Sequence, residues 1–167
     1  MRIYLPATLP LLAAARDAGC FTASRDAGPG GLPGHAVTPA VREWYTQGDV
    51  EELEYTALLE AAEASLELLA KDVTAPRRRV VVSADVPDAV VKPGGRFRSS
   101  VRLQAPVELD SVVSLHVDET GVEDTITVAV GALPAANAGD DDARFLVDEA
   151  EACDLLWYDV TELTDLV

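Results

Sequence analysis

The chain opens with alternating positions, Ile3 and Leu5 interleaved with Arg2 and Tyr4, and this period of two predicts a strand. Thr8 then stands as an N-cap for a helix from Leu9 to Ala18 that Gly19 ends. The segment AGPGGLPG over 27–34 holds four glycines and two prolines and predicts a flexible loop. After a short extended piece at Ala36 and Val37, Thr38 followed by Pro39 starts a helix expected to end at Gly48. Asp49 and Glu52 have capping-box spacing and open a longer helix. In it Tyr55, Leu58, Leu59, Ala62, Leu66 and Leu69 recur every three or four residues as the core face, while Glu52, Glu60, Glu63 and Glu67 make an adjoining solvated face.

Further along, VVVSADV from Val80 to Val86 predicts a buried central strand that Pro87 stops. Lys92 to Gly95 is a turn, and 97–103 is an edge strand or a loop. Val113, Leu115 and Val117 alternate with Ser114, His116 and Asp118, a second strand with His116 on its less apolar face. From Val122, apolar positions at Ile126, Val130 and Leu133 follow a capping-box pair, Thr120 and Glu123, and predict a helix over 122–134, although Thr125 to Val130 also alternates as a strand would. Asp140, Asp141 and Asp142 read as a polar loop, Phe145 to Asp148 and Asp154 to Tyr158 as the two strands of a hairpin, and the residues from Val160 as a short helix. Alternating helices and strands predict one α/β domain over 1–167, a layered sandwich around a mixed, partly parallel sheet of about five strands. A ferredoxin-like α+β arrangement is the alternative, and segments 97–103 and 122–134 separate the two.

Composition is that of ordinary globular material: 167 residues, 49% apolar, 25% charged and 5% aromatic. Charge changes the picture more, because the formal net charge is −16 and it is unevenly placed. Residues 1–102 hold twelve basic and thirteen acidic residues, whereas 103–167 hold only Arg144 against sixteen acids. Such a field repels nucleic-acid phosphates and anionic membrane surfaces and attracts a basic protein partner. The basic stretch 77–102, with seven Lys and Arg against two acids, could bind an anion, but pairing with the acidic half of the same molecule is the simpler expectation. Cys20 and Cys153 lie far apart without metal-ligand or redox spacing, which reads as reduced thiols in the cytoplasm. Pro6 and Pro10 interrupt the apolar run after Arg2, and Arg16 and Asp17 follow it, so that run is not read as a signal peptide. No apolar run approaches the roughly 18 residues of a membrane span.

Candidate chemistry is sparse. Segment 27–34 lacks the lysine of a phosphate loop, no serine sits in a GxSxG elbow, and the Asp140 to Asp142 run lacks the spacing of a calcium loop, so no cofactor or resident metal is implied. In open α/β sheets ligands collect beyond the carboxyl ends of parallel strands. Thr8, Thr38, Asp85, Asp118 and Glu119 would stand at those ends, the carboxylates able to hold Mg²⁺ and His116 able to act as acid or base. That arrangement would suit a small Mg-assisted hydrolase or phosphotransferase. His35, beside the glycine-rich segment, is expected to be exposed. The aromatic pairs Trp44–Tyr45 and Trp157–Tyr158 ordinarily serve packing, but exposed Trp44 and Trp157 would be interface anchors. The leading expectation is a non-catalytic cytoplasmic interaction or regulatory protein, with Asp140, Asp141, Asp142, Trp44 and Trp157 as partner-binding candidates.

Taken together, RIYLPATL (2–9), VTPAVREWY (37–45), EELEY (51–55), RRVVVSADVP (78–87), HVD (116–118) and LLWYD (155–159) resemble a family of small actinobacterial proteins known as a domain of unknown function. The resemblance spans nearly the whole chain and is weakest at the glycine-rich segment. It implies a bacterial, cytoplasmic setting and assigns no catalytic residue, ligand or partner. Eleven arginines against two lysines, with abundant alanine and valine, accord with a high-GC genome.

Overall fold

In the computed structural model, which describes residues 1–23 and 30–167, the first strand of the chain lies in the middle of the sheet. In chain order the elements are β1 (Arg2–Ala7), α1 (Leu9–Ala18), β2 (Cys20–Phe21), β3 (Leu32–Ala36), α2 (Pro39–Trp44) and α3 (Val50–Lys71). There follow β4 (Val80–Asp85), β5 (Val91–Pro93), β6 (Ser100–Leu103), β7 (Val107–Glu108) and β8 (Val112–Asp118), then α4 (Glu123–Asn137), α5 (Asp141–Glu151), β9 (Leu155–Tyr158) and α6 (Leu163–Leu166). Seven strands form one sheet in the order β5-β6-β3-β1-β4-β8-β9, and β2 pairs with β7 in a separate ribbon. Every described pairing is antiparallel.

The expected partly parallel sheet of about five strands is therefore corrected. A single helix between two strands carries the chain back to start a parallel strand, but two helices return it to the end it left. The latter happens after β8: α4 runs out, α5 runs back, and β9 pairs antiparallel with β8 through Asp118 opposite Leu155. The ferredoxin-like alternative shares antiparallel pairing but has neither this strand number nor this order.

Burial follows the strand period. Ile3, Leu5, Val80, Val82, Leu115 and Val117 face one way, against Leu12 of α1, Phe21 of β2, Val107 of β7 and Leu163 of α6. Tyr4 and Val81 face the other way, beneath Ala57, Ala61 and Ala62 of α3. Leu66 and Leu69 of α3 then pack with Ile126 and Leu133 of α4 and Ala143, Val147 and Ala150 of α5. Helix α3 thus covers one face, with α4 and α5 packed against it, and α1, α6 and the small ribbon cover the other.

Several local expectations hold. Thr8 caps α1 through the Leu11 amide, and Gly19 ends that helix in the left-handed conformation. Asp49 and Glu52 form a reciprocal capping box at the start of α3. The expectation of a helix over 122–134 is met by α4. Others are corrected. Residues 32–34, read as loop, belong to β3, an interior strand, where Gly34 lies close to β1: a Cβ there would stand 3.2 Å from the Leu5 side chain. Of the rest of the predicted loop, Gly30 and Gly31 are turn and irregular backbone and 27–29 lies outside the described residues. Helix α2 stops at Trp44, before Gly48. On α3 the small residues Ala57, Ala61 and Ala62 meet the sheet, whereas Tyr55 is 62% exposed. Finally, 140–148 is neither loop nor strand: Asp140 caps α5, and Ala143, Val147 and Ala150 bury one face of it.

Candidate functional site

The strand-end carboxylates do not come together. Val80 stands opposite Val117 and Ala84 opposite Val112, so Asp85 and Asp118 close neighbouring strands at opposite ends of the sheet, roughly 20 Å apart at the rise of a strand. Each is engaged by an arginine. The Asp85 oxygens accept from Nε and Nη2 of Arg2 at 2.7 and 3.0 Å, which holds its carboxyl below the ordinary range. Asp118 is closed to solvent and accepts from the Arg79 amide at 2.6 Å and from the Arg79 guanidinium. Glu119 follows Asp118 at the rim, exposed, with its amide donating to Asp154. Among the described residues no three His, Cys, Asp or Glu side chains form a group able to hold a metal ion. Thr8 and Thr38 spend their hydroxyls capping α1 and α2.

His116 lies on the less apolar face of β8, its Nε2 3.1 Å from both Ser83 Oγ and Ser114 Oγ, and burial lowers its pKa. Trp157 stands beside it across β8 and β9 and is 60% exposed. Trp44 is 62% exposed at the end of α2, its ring 3.7 Å from the Arg98 guanidinium. Arg98 leads into β6, while Trp157 lies in β9 at the far edge, so the two tryptophans do not share a patch.

The acidic run takes a different form from the one expected. Asp140 is spent as a cap, accepting from the Ala143 amide at 2.8 Å. Asp141 and Asp142 begin α5, where acidic groups oppose the positive end of the helix dipole. Phe145 follows on the outer surface, 61% exposed. Residues three and four apart on a helix are neighbours, so Asp141, Asp142, Asp148 and Glu149 surround that ring. Asp148 is also held by Arg144 at 2.7 Å. The sequence pattern predicts a strand at Phe145 and so hides its exposed helical position; the signal that marks the helix is the i, i+4, i+7 spacing of Ala143, Val147 and Ala150.

A second feature was also missed. The glutamate face of α3 meets cations and a histidine rather than water. Glu60 accepts from the Ser99 amide at 3.1 Å and from its hydroxyl, and that hydroxyl lies 2.7 Å from Nδ1 of His35. His35 is buried, not exposed, and burial pushes its imidazole down to about 4. Ser99 is fully buried and already bonded on both sides, so the trio is a structural clasp and not a nucleophile with its base. Glu63 is bonded by Arg96 at 3.0 Å and by both Nη atoms of Arg144 at 3.0 and 3.1 Å. Burial pushes the Glu63 carboxyl up, but Arg144 and Arg96 outweigh it and hold the group below its ordinary value. Glu151 is pushed up to about 7 by burial and by Glu63. The acids at 60, 63 and 67 are legible in the sequence as a stripe; their partners, Ser99, Arg96 and Arg144, are distant in sequence and are not.

Residues 1–167 match the model of a family described as a family of unknown function (DUF6912). No curated protein and no solved structure matches. No helix among the described residues is long and apolar enough to cross a membrane.

Proposed function

We propose, for a chain that belongs to the DUF6912 family of unknown function, a non-catalytic role: it is an interaction protein that presents the outer face of α5 to a basic protein partner. The observation that carries this is Phe145, 61% exposed on a helix whose opposite face is buried, with four acids at helical spacing around it. An exposed aromatic ring desolvates on contact, and truncating such an anchor typically costs about 2 kcal/mol or more of binding. The surrounding carboxylates select lysine and arginine around the apolar residue that meets the ring, and they speed encounter at low salt. The strand-end carboxylates lend no weight to the Mg-assisted alternative, since Asp85 and Asp118 are apart and each is paired with an arginine. The same reading places the protein in the cytoplasm of an actinobacterium, away from nucleic acid and membrane surfaces. Its support is the arginine-rich composition, the net charge of −16 and the two free cysteines.

The test uses a fluorescent synthetic peptide with one central leucine flanked by lysine and arginine, a copy with alanine for that leucine, and anisotropy at low and physiological salt. Phe145→Ala should weaken binding of the leucine peptide about tenfold or more, leave the alanine peptide unaffected and leave the melting temperature unchanged. Any protein of this charge attracts a basic peptide, so attraction alone does not count. Equal affinity of wild type and Phe145→Ala for the leucine peptide would remove the proposal.

A further inference from the structure

We infer that a cleft elsewhere on the molecule is a binding site for a small organic anion, an apolar body carrying a carboxylate, phosphate or similar group. The cleft has a volume of about 520 Å³ and lies between the C-terminal half of α3 and the exposed part of β3 and β6, beneath the turn at Gly94 and Gly95. That volume falls within the roughly 300–1,000 Å³ of ordinary small-molecule sites. Pro6, Leu32, Leu68 and Phe97 supply apolar walls.

Its charge is what specifies the ligand. Two acids line the cleft, and both are engaged: Glu67 with Arg96 at 2.9 Å, and Asp72 with the Thr74 amide at 3.0 Å and the Thr74 hydroxyl at 2.6 Å. Two cations that line it, Lys71 and Arg102, have no acidic partner among the described residues. Arg102 also stands directly opposite Lys92 across β5 and β6. Cross-strand partners project from the same face of a sheet, and like charges in that relation destabilise it. Elsewhere most of the described arginines are engaged, Arg42 on the exposed side of α2 being an exception. Arg2, Arg79, Arg96 and Arg144 are in ion pairs, Arg77 and Arg78 bind main-chain carbonyls, and Arg98 stacks on Trp44. In a chain of net charge −16, two cations in one apolar cleft with no acidic partner among the described residues, one of them facing a third cation, make a local positive site in a negative field. A ligand anion supplies the missing counter-charge, and the apolar walls take the rest of the ligand. The site is independent of the α5 surface.

Two fluorescent probes test this: 8-anilinonaphthalene-1-sulfonate, an organic anion, and N-phenyl-1-naphthylamine, the same aromatic body without the sulfonate. The folded protein should bind the sulfonate saturably at one site and more tightly than the neutral probe. Lys71→Gln with Arg102→Gln should weaken the sulfonate at least tenfold and leave the neutral probe unchanged. Lys71→Gln alone, an exposed position that cannot endanger the fold, should give part of that loss. Arg42→Gln, on α2 and outside the cleft, should change neither. Amide signals of Gly94, Gly95 and Arg102 should shift with sulfonate occupancy. Equal binding of the two probes, absence of a saturable sulfonate site, or wild-type sulfonate affinity in the double variant would overturn the inference.

Discussion

The Arg79 guanidinium lies against both oxygens of Asp118, with Nη2 2.6 Å from Oδ1 and Nε 3.0 Å from Oδ2, and neither side chain reaches solvent. The same guanidinium donates to the Cys153 carbonyl at 2.9 Å, so one pair ties β4, β8 and the approach to β9 together. Removing one partner of such a pair strands a buried charge. Asp118→Ala should therefore cost about 3–5 kcal/mol in urea unfolding, while Arg79→Met combined with Asp118→Leu should cost less than Asp118→Ala alone. A double variant no more stable than the single one would show that the pair's other hydrogen bonds, and not its charge balance, dominate.

Buried His35 and half-buried Glu151 should give opposite slopes of stability with pH. His35 titrates at about 4 when folded and near 6.5 when unfolded. Between those values the unfolded chain binds the extra proton, so the contribution of His35 is complete above about 6.5 and is lost as pH falls toward 4. The full effect is on the order of 3 kcal/mol. Glu151 is raised to about 7, so its contribution is present below its unfolded value and is lost as pH rises through 7. In unfolding curves from pH 4 to 7.5, His35→Asn should flatten the rise of stability with pH, and Glu151→Gln should steepen it between 5 and 7.

The three consecutive aspartates should not behave alike. Asp140→Ala removes the cap of α5 and should cost about 1 kcal/mol, with Asp140→Asn nearly silent. Asp141→Asn and Asp142→Asn should each change stability by less than about 0.5 kcal/mol. Thermal melts of the four variants separate a capping group from its neighbours.

Gly31 has φ +100°, and a Cβ there would stand 2.1 Å from the Leu103 carbonyl oxygen. Since Leu103 pairs with Leu32 in β6 and β3, Gly31→Ala should cost on the order of 2–3 kcal/mol. It should also speed hydrogen exchange in β3 and β6 before β1 and β4 are affected. Uniform loss of protection across the sheet would contradict a local origin.

What could be read in advance was local. Thr8, Gly19 and the Asp49–Glu52 box act within a few residues of themselves, and the alternation of β4 and β8 reports burial directly. Strand direction is not local: it depended on whether 141–151 is a helix, and a short amphipathic stretch with two alanines on its inner face looked like a strand followed by a turn. Pro33 and Gly34 hide β3 because both residues are poor strand formers. The partner-facing candidates show the same limit. Asp141 and Asp142 were legible as charge, but the exposed ring they surround became visible only with the helix. Likewise, the charge of Lys71 and Arg102 gains meaning only from the tertiary placement that puts both in one cleft without an acidic partner among the described residues.

The central place of β1 sets how the chain reaches this structure. Its residues Ile3 and Tyr4 have partners on both sides, but the second partner, β4, is distant, and the contact of Arg2 with Asp85 closes a loop spanning 83 residues. Closing so long a segment forfeits much chain freedom before any contact repays it, which slows the search. During synthesis, residues near 3–5 wait with one edge open until those near 80–85 have been made, and in that interval they can pair with another nascent chain. The sheet is finished only when β9 docks on β8, so the strand made first and the strand made last bracket a slow, late assembly step.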